Sequence, residues 1–287
     1  MMDTSHGPVV VGTDGSPRAA AAVMWAAGEA ALRGCPLHIA HAAGLESRSG
    51  RNPSPRTTQL VLDSGRALLD EAVASATARY PDLPVSTSLD TGKPVDTLVD
   101  RSEPQGLTVV GSRGRGGFQA LLLGSVSLRV ATHARGPVVV VRGSEQPSTG
   151  VVLVGLRDET DLATVRFAAD EARLRKATLR LLTAWSLLWA VGEMAPGLDD
   201  ARSVGDQEVA TQQHVADTIR EEYPDLTVTV DLVQAASASG ALVNASAHAD
   251  LLVAGARQHP RAGGRLSHVT HAVLHHAHCP VAVFHHA

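Results

Sequence analysis

Short runs of Val, Leu and Ile separated by longer Ala-rich stretches set the rhythm of this chain. In its first half the runs VVVG, LHIAH, VSTSL, LTVV and VVVV predict strands over residues 9–12, 37–41, 85–89, 107–110 and 138–141. Between them, residues 17–33, 57–80, 95–102 and 125–134 carry the wider apolar spacing of helices. Pro17 falls just inside the first helix, where its missing N–H is harmless. Apolar strands that alternate with helices imply a parallel sheet covered on both faces. Right-handed crossovers then make the predicted fold a doubly wound α/β sheet of five strands.

The pattern occurs twice. RYPDLPVSTSLD, starting at Arg79, returns as EYPDLTVTVDLV from Glu222, and VVVGTDGS from Val9 returns as VLVGLRDE from Val152. THARGPVVVVR from Thr132 returns as HHAHCPVAVFH from His275. All three pairs are 143 residues apart, and a constant offset over well-separated segments means a duplicated domain rather than a short-period solenoid. The expected domains are residues 1–143 and 150–287, joined by the linker GSEQPSTG.

Composition narrows the functions available. At 287 residues, with 44% hydrophobic and 19% charged residues, the chain can fill two cores. A net charge of -4 and only three Trp, two Tyr and three Phe supply neither a basic field nor stacking platforms, so nucleic acid is not expected as a partner. Cys35 and Cys279 form no CxxC pair and suit a reducing compartment. No leader-like or membrane-length apolar segment is visible, so a soluble, cytoplasmic protein with no membrane partner is expected.

The candidate chemistry sits in GSRGRGGFQALLLGSVS, which follows the strand LTVV and opens the fourth helix. Glycine is used where the backbone must turn sharply or approach something closely. In a doubly wound sheet, ligands bind outside the carboxyl ends of the strands where the strand order switches, and a helix N-terminus there favours an anion. The string lacks a Walker A Gly-Lys-Ser/Thr ending and fails the dinucleotide fingerprint at Gln119. What remains is Gly111, Gly114, Gly124 and Ser125, with hydroxyl donors at Ser125 and Ser127.

This glycine spacing, VVVGTDGS at the first strand end and HARGPVVVVR after the helix together resemble the universal stress protein family, and specifically its tandem-domain, ATP-binding branch. The resemblance covers nearly the whole chain. It implies two tandem doubly wound domains of the adenine-nucleotide α-hydrolase-like fold, each with a five-stranded parallel sheet, and a regulatory or stress-tolerance role. It also implies ATP with Mg²⁺ as cofactors. Carried over by position, Gly12, Thr13 and Asp14 would line the base and ribose end, with the Ala42 backbone at the adenine edge. Val110, Gly111, Arg113 and Gly114 would cover the ribose and first phosphate. Gly124, Ser125, Val126 and Ser127 would hold the outer phosphates, and Asp14 would help hold Mg²⁺. Plainer roles stand beside these: Asp14 in a helix-capping turn, Ser125 as a cap alone, and Arg113 and Arg115 as solvated charges.

The second half departs from this pattern. Arg157 stands where Asp14 does, Gln258 replaces Gly114, and Ser267 and His268 replace Gly124 and Ser125. One ATP per chain is therefore expected, in the first half. His268, His271, His275, His276, His278, His285 and His286 crowd the C-terminus; His271 and His275 have the spacing to share a metal, but helix-end His also suits the dipole.

Two function classes follow. One is an ATP-binding module whose nucleotide state alters partner binding. The other is a nucleotide-dependent enzyme of the same superfold, a slow ATPase or an adenylyl transferase. No GxSxG, HExxH or Cys–His arrangement nominates a catalytic residue, and Asp14 is the sole acid suspected of aiding hydrolysis. Lys93 and Lys176, the two lysines, lie away from the loop, which weakens the enzyme reading. The strands that follow Pro137 and Pro280 would leave exposed sheet edges, favouring pairing of the two halves and of two chains as a homodimer. Residues 44–58, rich in Ser, Pro and Arg, are expected to form a mobile cover.

Overall fold

The structure is a computed structural model and describes residues 7–45, 54–115, 122–142, 147–185, 198–257 and 266–286. The chain divides into two compact units, Met1–Ser144 and Glu145–Ala287.

In the first unit the elements run β1 (Val9–Gly12), α1 (Pro17–Arg33), β2 (Leu37–Ala42), α2 (Pro55–Arg79), β3 (Val85–Asp90), α3 (Pro94–Arg101), β4 (Leu107–Gly111), α4 (Ser125–His133) and β5 (Val138–Val141). The strand order is β3-β2-β1-β4-β5. Every pairing is parallel, with Val9 opposite Leu37 and Leu107, Leu37 opposite Val85, and Thr108 opposite Val138. Helices α1 and α2 pack together on one face, α3 and α4 on the other. Both faces are thus covered, which is why Val9, Val11, Leu37, Ile39, Val109 and Val138 are all buried.

Local chemistry sets the boundaries. The Ser16 hydroxyl caps α1 by accepting from the Ala19 amide at 3.2 Å, Pro17 occupies the first turn, and Gly34 ends the helix at φ 63°. The buried stripe of α1 is Ala19, Ala22, Val23, Ala26, Ala27 and Ala30. These small side chains let the helix ride close to the sheet. Helix α2 begins at Pro55, two residues before its expected start, because Ser54 caps it and Pro55 pre-sets its first turn. Pro94 likewise starts α3 one residue early. Strands β2, β3 and β4 each run one residue past their expected ends, to Ala42, Asp90 and Gly111.

The second unit repeats the plan with β6 (Val151–Gly155), α5 (Leu162–Arg175), β7 (Thr178–Trp185), α6 (Leu198–Glu222), β8 (Val228–Gln234), α7 (Ala238–Ala245), β9 (Leu251–Arg257), α8 (His268–His276) and β10 (Val281–His286). Its order, β8-β7-β6-β9-β10, repeats that of the first unit, again with parallel pairing. At its start, the Asp250 carboxylate gathers the Ser148 hydroxyl and the Thr149 and Gly150 amides, fastening Ser148 to Gly150 to the foot of β9. Among the described residues no helix is long and apolar enough to cross a membrane.

Candidate functional site

The strand order turns back between β1 and β4, so the helices leaving their carboxyl ends diverge and open a crevice. A cavity of about 490 Å³ lies there, within the range of small-molecule sites. Gly12, Thr13, Asp14, Ala42, Val110, Gly111, Arg113, Gly114, Gly124, Ser125, Val126 and Ser127 all line it. The structure therefore brings together every binding residue expected from the sequence.

It adds Ala19, Ala40, Pro94, Thr97, Leu98 and Leu123. Ala40 was implied by Ala42, since residues two apart on a strand share a face. Pro94, Thr97 and Leu98 form a helical stripe on α3 that sequence reasoning reads as ordinary core. They give one end of the cavity an apolar wall.

The glycines have distinct physical roles. A Cβ on Gly111 would lie 2.7 Å from the Arg18 carbonyl oxygen, so this glycine permits α1 to cross β4 closely. A Cβ on Gly124 would meet its nearest neighbours at 3.4 to 3.5 Å, ordinary contact. Packing within the fold does not require a glycine there, although it forms the mouth of the cavity.

Gly124 is also the N-cap of α4, and no side chain caps that helix. Ser125 is exposed and makes no capping bond, so the plain capping role does not describe it. The Ser127 hydroxyl turns inward and donates to the Gly111 carbonyl at 2.6 Å, leaving its amide, rather than its O–H, for a ligand. The second unit keeps that brace, with Thr270 donating to Gly255 at 2.9 Å. There, however, Ser267 caps α8 and accepts from the Thr270 amide at 3.0 Å. One helix end thus presents open amides to a cavity, and its counterpart closes on itself.

Asp14 sits beside this mouth. Its carboxylate accepts from the Ser16 amide at 3.0 Å and from the Arg115 amide at 2.6 Å. Burial pushes its carboxyl up, but the hydrogen bonds from Ser16 and Arg115 and the Arg115 charge outweigh this and hold it below the usual value. The capping of α1 belongs to Ser16, with Asp14 supporting the Ser16 amide. Arg115 directs its guanidinium to the Gly15 carbonyl at 3.2 Å. Thr13 accepts from the Gly15 amide, and its carbonyl lies 2.8 Å from the His41 ring. In the second unit Arg157 folds back onto Asp161, whose carboxylate also takes the Arg157 amide at 2.9 Å.

The remaining candidates are placed as follows. The rings of His271 and His275 stack at 4.4 Å on α8, and no group of three or more His, Cys, Asp or Glu able to hold a metal occurs among the described residues. Of the expected cover, residues 54–58 lead into and open α2, while residues 46–53 lie outside the described residues.

Two doubly wound units, the first with a crevice at the strand-order switch and an open helix end, define a protein of the α/β nucleotide-binding fold class. The profile of the universal stress protein family matches residues 6–142 and 149–285. The chain belongs to that family, as two tandem copies. Universal stress protein Rv2623 of Mycobacterium tuberculosis is 35% identical over 260 residues, 87% of this chain and 86% of that one. The crystal structure of a universal stress protein from Archaeoglobus fulgidus covers 99% of this chain and 100% of its own at a TM-score of 0.74 and 17% identity, a likeness of fold. A universal stress protein solved in complex with cAMP is 32% identical over 47% of this chain, with a TM-score of 0.34.

Proposed function

We propose that this universal stress protein binds one ATP per chain, in the first unit, and acts as a nucleotide-dependent regulatory module. The observation that carries the reading is the contrast between the two helix ends. Helix α4 offers uncapped amides at Ser125 to Ser127 beside a cavity, the Gly124 amide being bonded to the Ser112 carbonyl at 2.7 Å, whereas α8 spends its corresponding amide on Ser267. Amides at a helix N-terminus suit a polyanion, and the helix dipole adds to them. The wall of Ala40, Ala42, Pro94 and Leu98 suits the flat apolar face of a base, with Thr97 as the polar group among them.

Mg²⁺ would enter with the phosphates, which are its preferred partners. Among the described residues Asp14 is the one carboxylate lining the cavity, and both its oxygens already accept amides. That donor set fits a metal ligand poorly, and no step is assigned to the ion. Among the described residues the lining holds none placed as a general base, and binding rather than turnover is the activity proposed.

A cytoplasmic location, association of the two halves and pairing of two chains belong to the same proposal; light scattering with and without ATP reads the last. The primary test is calorimetric titration with ATP, together with mass spectrometry of nucleotide that co-purifies with the native protein. Binding of one ATP per chain is expected. Two sites of equal affinity, or none, would refute the assignment.

A further inference from the structure

We propose that Asp14 is a positioning residue: its carboxylate latches Gly114 and Arg115, just after β4, to the turn after β1 at the rim of the cavity. The Arg115 amide, 101 residues along the chain, donates to one Asp14 oxygen at 2.6 Å while the Ser16 amide donates to the other at 3.0 Å. The Arg115 side chain reaches back in the opposite direction and donates to the Gly15 carbonyl at 3.2 Å. Two antiparallel bonds therefore clamp Gly114 and Arg115 to the turn after β1.

The flanking glycines are shaped by this clamp. A Cβ on Gly114 would lie 2.3 Å from the Asp14 Oδ2 atom, so any side chain there must push that carboxylate out of the latch. Gly15 adopts φ 71°, in the left-handed region, and a Cβ there would lie 2.8 Å from the Arg115 guanidinium. Gly114 is thus required by the latch itself, independently of any bound molecule, while Gly15 is required by its left-handed backbone and by Leu68, 2.7 Å from its Cβ position. In the second unit the carboxylate position is Arg157, which pairs with Asp161 of its own chain segment.

The latch rests on the geometry alone; its effect on ATP rests on the proposed function. A latched loop holds Arg113 and Gly114 at the cavity wall, so the nucleotide need not order them on binding. A metal-ligand role for Asp14 makes a different prediction, and the two separate experimentally.

The test is hydrogen exchange of the loop in the full chain, without nucleotide, for wild type, Asp14→Asn, Asp14→Ala and Gly114→Ala. A charge-assisted bond of this kind predicts exchange at Arg115 about tenfold or more faster in all three variants, with β4 amides unchanged. Asp14→Asn retains one acceptor oxygen and should show the smallest effect. ATP affinity is then measured with Mg²⁺ and with EDTA. The latch predicts that Asp14→Ala and Gly114→Ala weaken ATP by a similar factor in both conditions. Loss of the Mg²⁺ dependence in Asp14→Ala alone, or unchanged Arg115 exchange in every variant that keeps β4 protected, overturns the proposal. If exchange responds but no variant, wild type included, binds ATP, the latch stands and the nucleotide assignment fails.

Discussion

Replacing Gly124 by Ser would give the first unit the cap that the second unit already has. Gly124 lies at φ -78° and ψ 150°, extended backbone open to any residue. Its added Cβ would meet the Arg113 Cα at 3.4 Å and the Ser112 carbonyl at 3.5 Å, which the fold accommodates without movement. The new hydroxyl would accept from the Ser127 amide as Ser267 accepts from Thr270. A Ser cap exceeds a Gly cap by a few tenths of a kcal/mol, so thermal stability should hold or rise slightly. A phosphate would lose one charge-assisted amide bond, about 1.5 to 3 kcal/mol, or roughly 10- to 150-fold in affinity. The assay pairs calorimetric ATP titration with a thermal melt on the same sample. Unchanged ATP affinity in a folded Gly124→Ser protein would show that the α4 helix end does not hold the phosphates. The reverse variant, Ser267→Gly, lowers stability slightly and creates no second site, because the Asp14 turn and Gly114 have no counterparts there.

Three further outcomes are expected. Gly111→Ala places a Cβ 2.7 Å from the Arg18 carbonyl oxygen and 3.2 Å from the Ala19 amide, both backbone, so α1 must back away from β4 at about 1–3 kcal/mol, read by chemical denaturation. Arg157→Ala leaves the Asp161 carboxylate, 3% exposed, without its cation; because Arg157 is itself 48% exposed, the loss should fall below the ~3–5 kcal/mol of a fully buried pair and appear as faster exchange in the first turn of α5. His38, held between the Ser86 and Ser88 hydroxyls at 2.9 and 3.0 Å, has its pKa lowered from 6.5 by burial and then by the Arg101 charge, against the pull of Asp90. Below pH 6.5 the unfolded chain binds a proton there that the folded one resists, so stability should fall as pH drops under 6.5, and His38→Gln should flatten that slope in melts between pH 5 and 7.5.

The elements were legible because each boundary has a local cause. Ser16 with Pro17, Ser54 with Pro55, and Gly34 mark helix ends with chemistry confined to a few neighbouring residues. The lining residues were legible for a different reason: they cluster at strand ends, which doubly wound topology brings to one edge. What escaped is what depends on contacts between distant segments. Nothing near Asp14 in the sequence indicates that its carboxylate holds an amide 101 residues away. Nor does the string GSVS show that the Ser127 proton is spent on Gly111. The α3 stripe of Pro94, Thr97 and Leu98 is indistinguishable from core until the cavity beside it is seen.

Comparison of the two copies separates what the fold needs from what a ligand needs. The inward hydroxyl of Ser127 recurs as Thr270, and both donate to the last glycine carbonyl of the adjoining strand, so that bond ties the helix to the sheet in either copy. The close crossing at Gly111 belongs to the same category, because the atoms it would strike are α1 backbone. Gly124 and Asp14 behave differently. Neither is kept in the second copy, and both positions there are taken by residues that satisfy themselves locally, Ser267 on its own helix and Arg157 on Asp161. A group abandoned without loss of fold, at the rim of a cavity, was held in place by something other than folding. On this reasoning the proposed nucleotide site would reside in the few groups that differ between the copies, and transplanting them is a stricter test than deleting them.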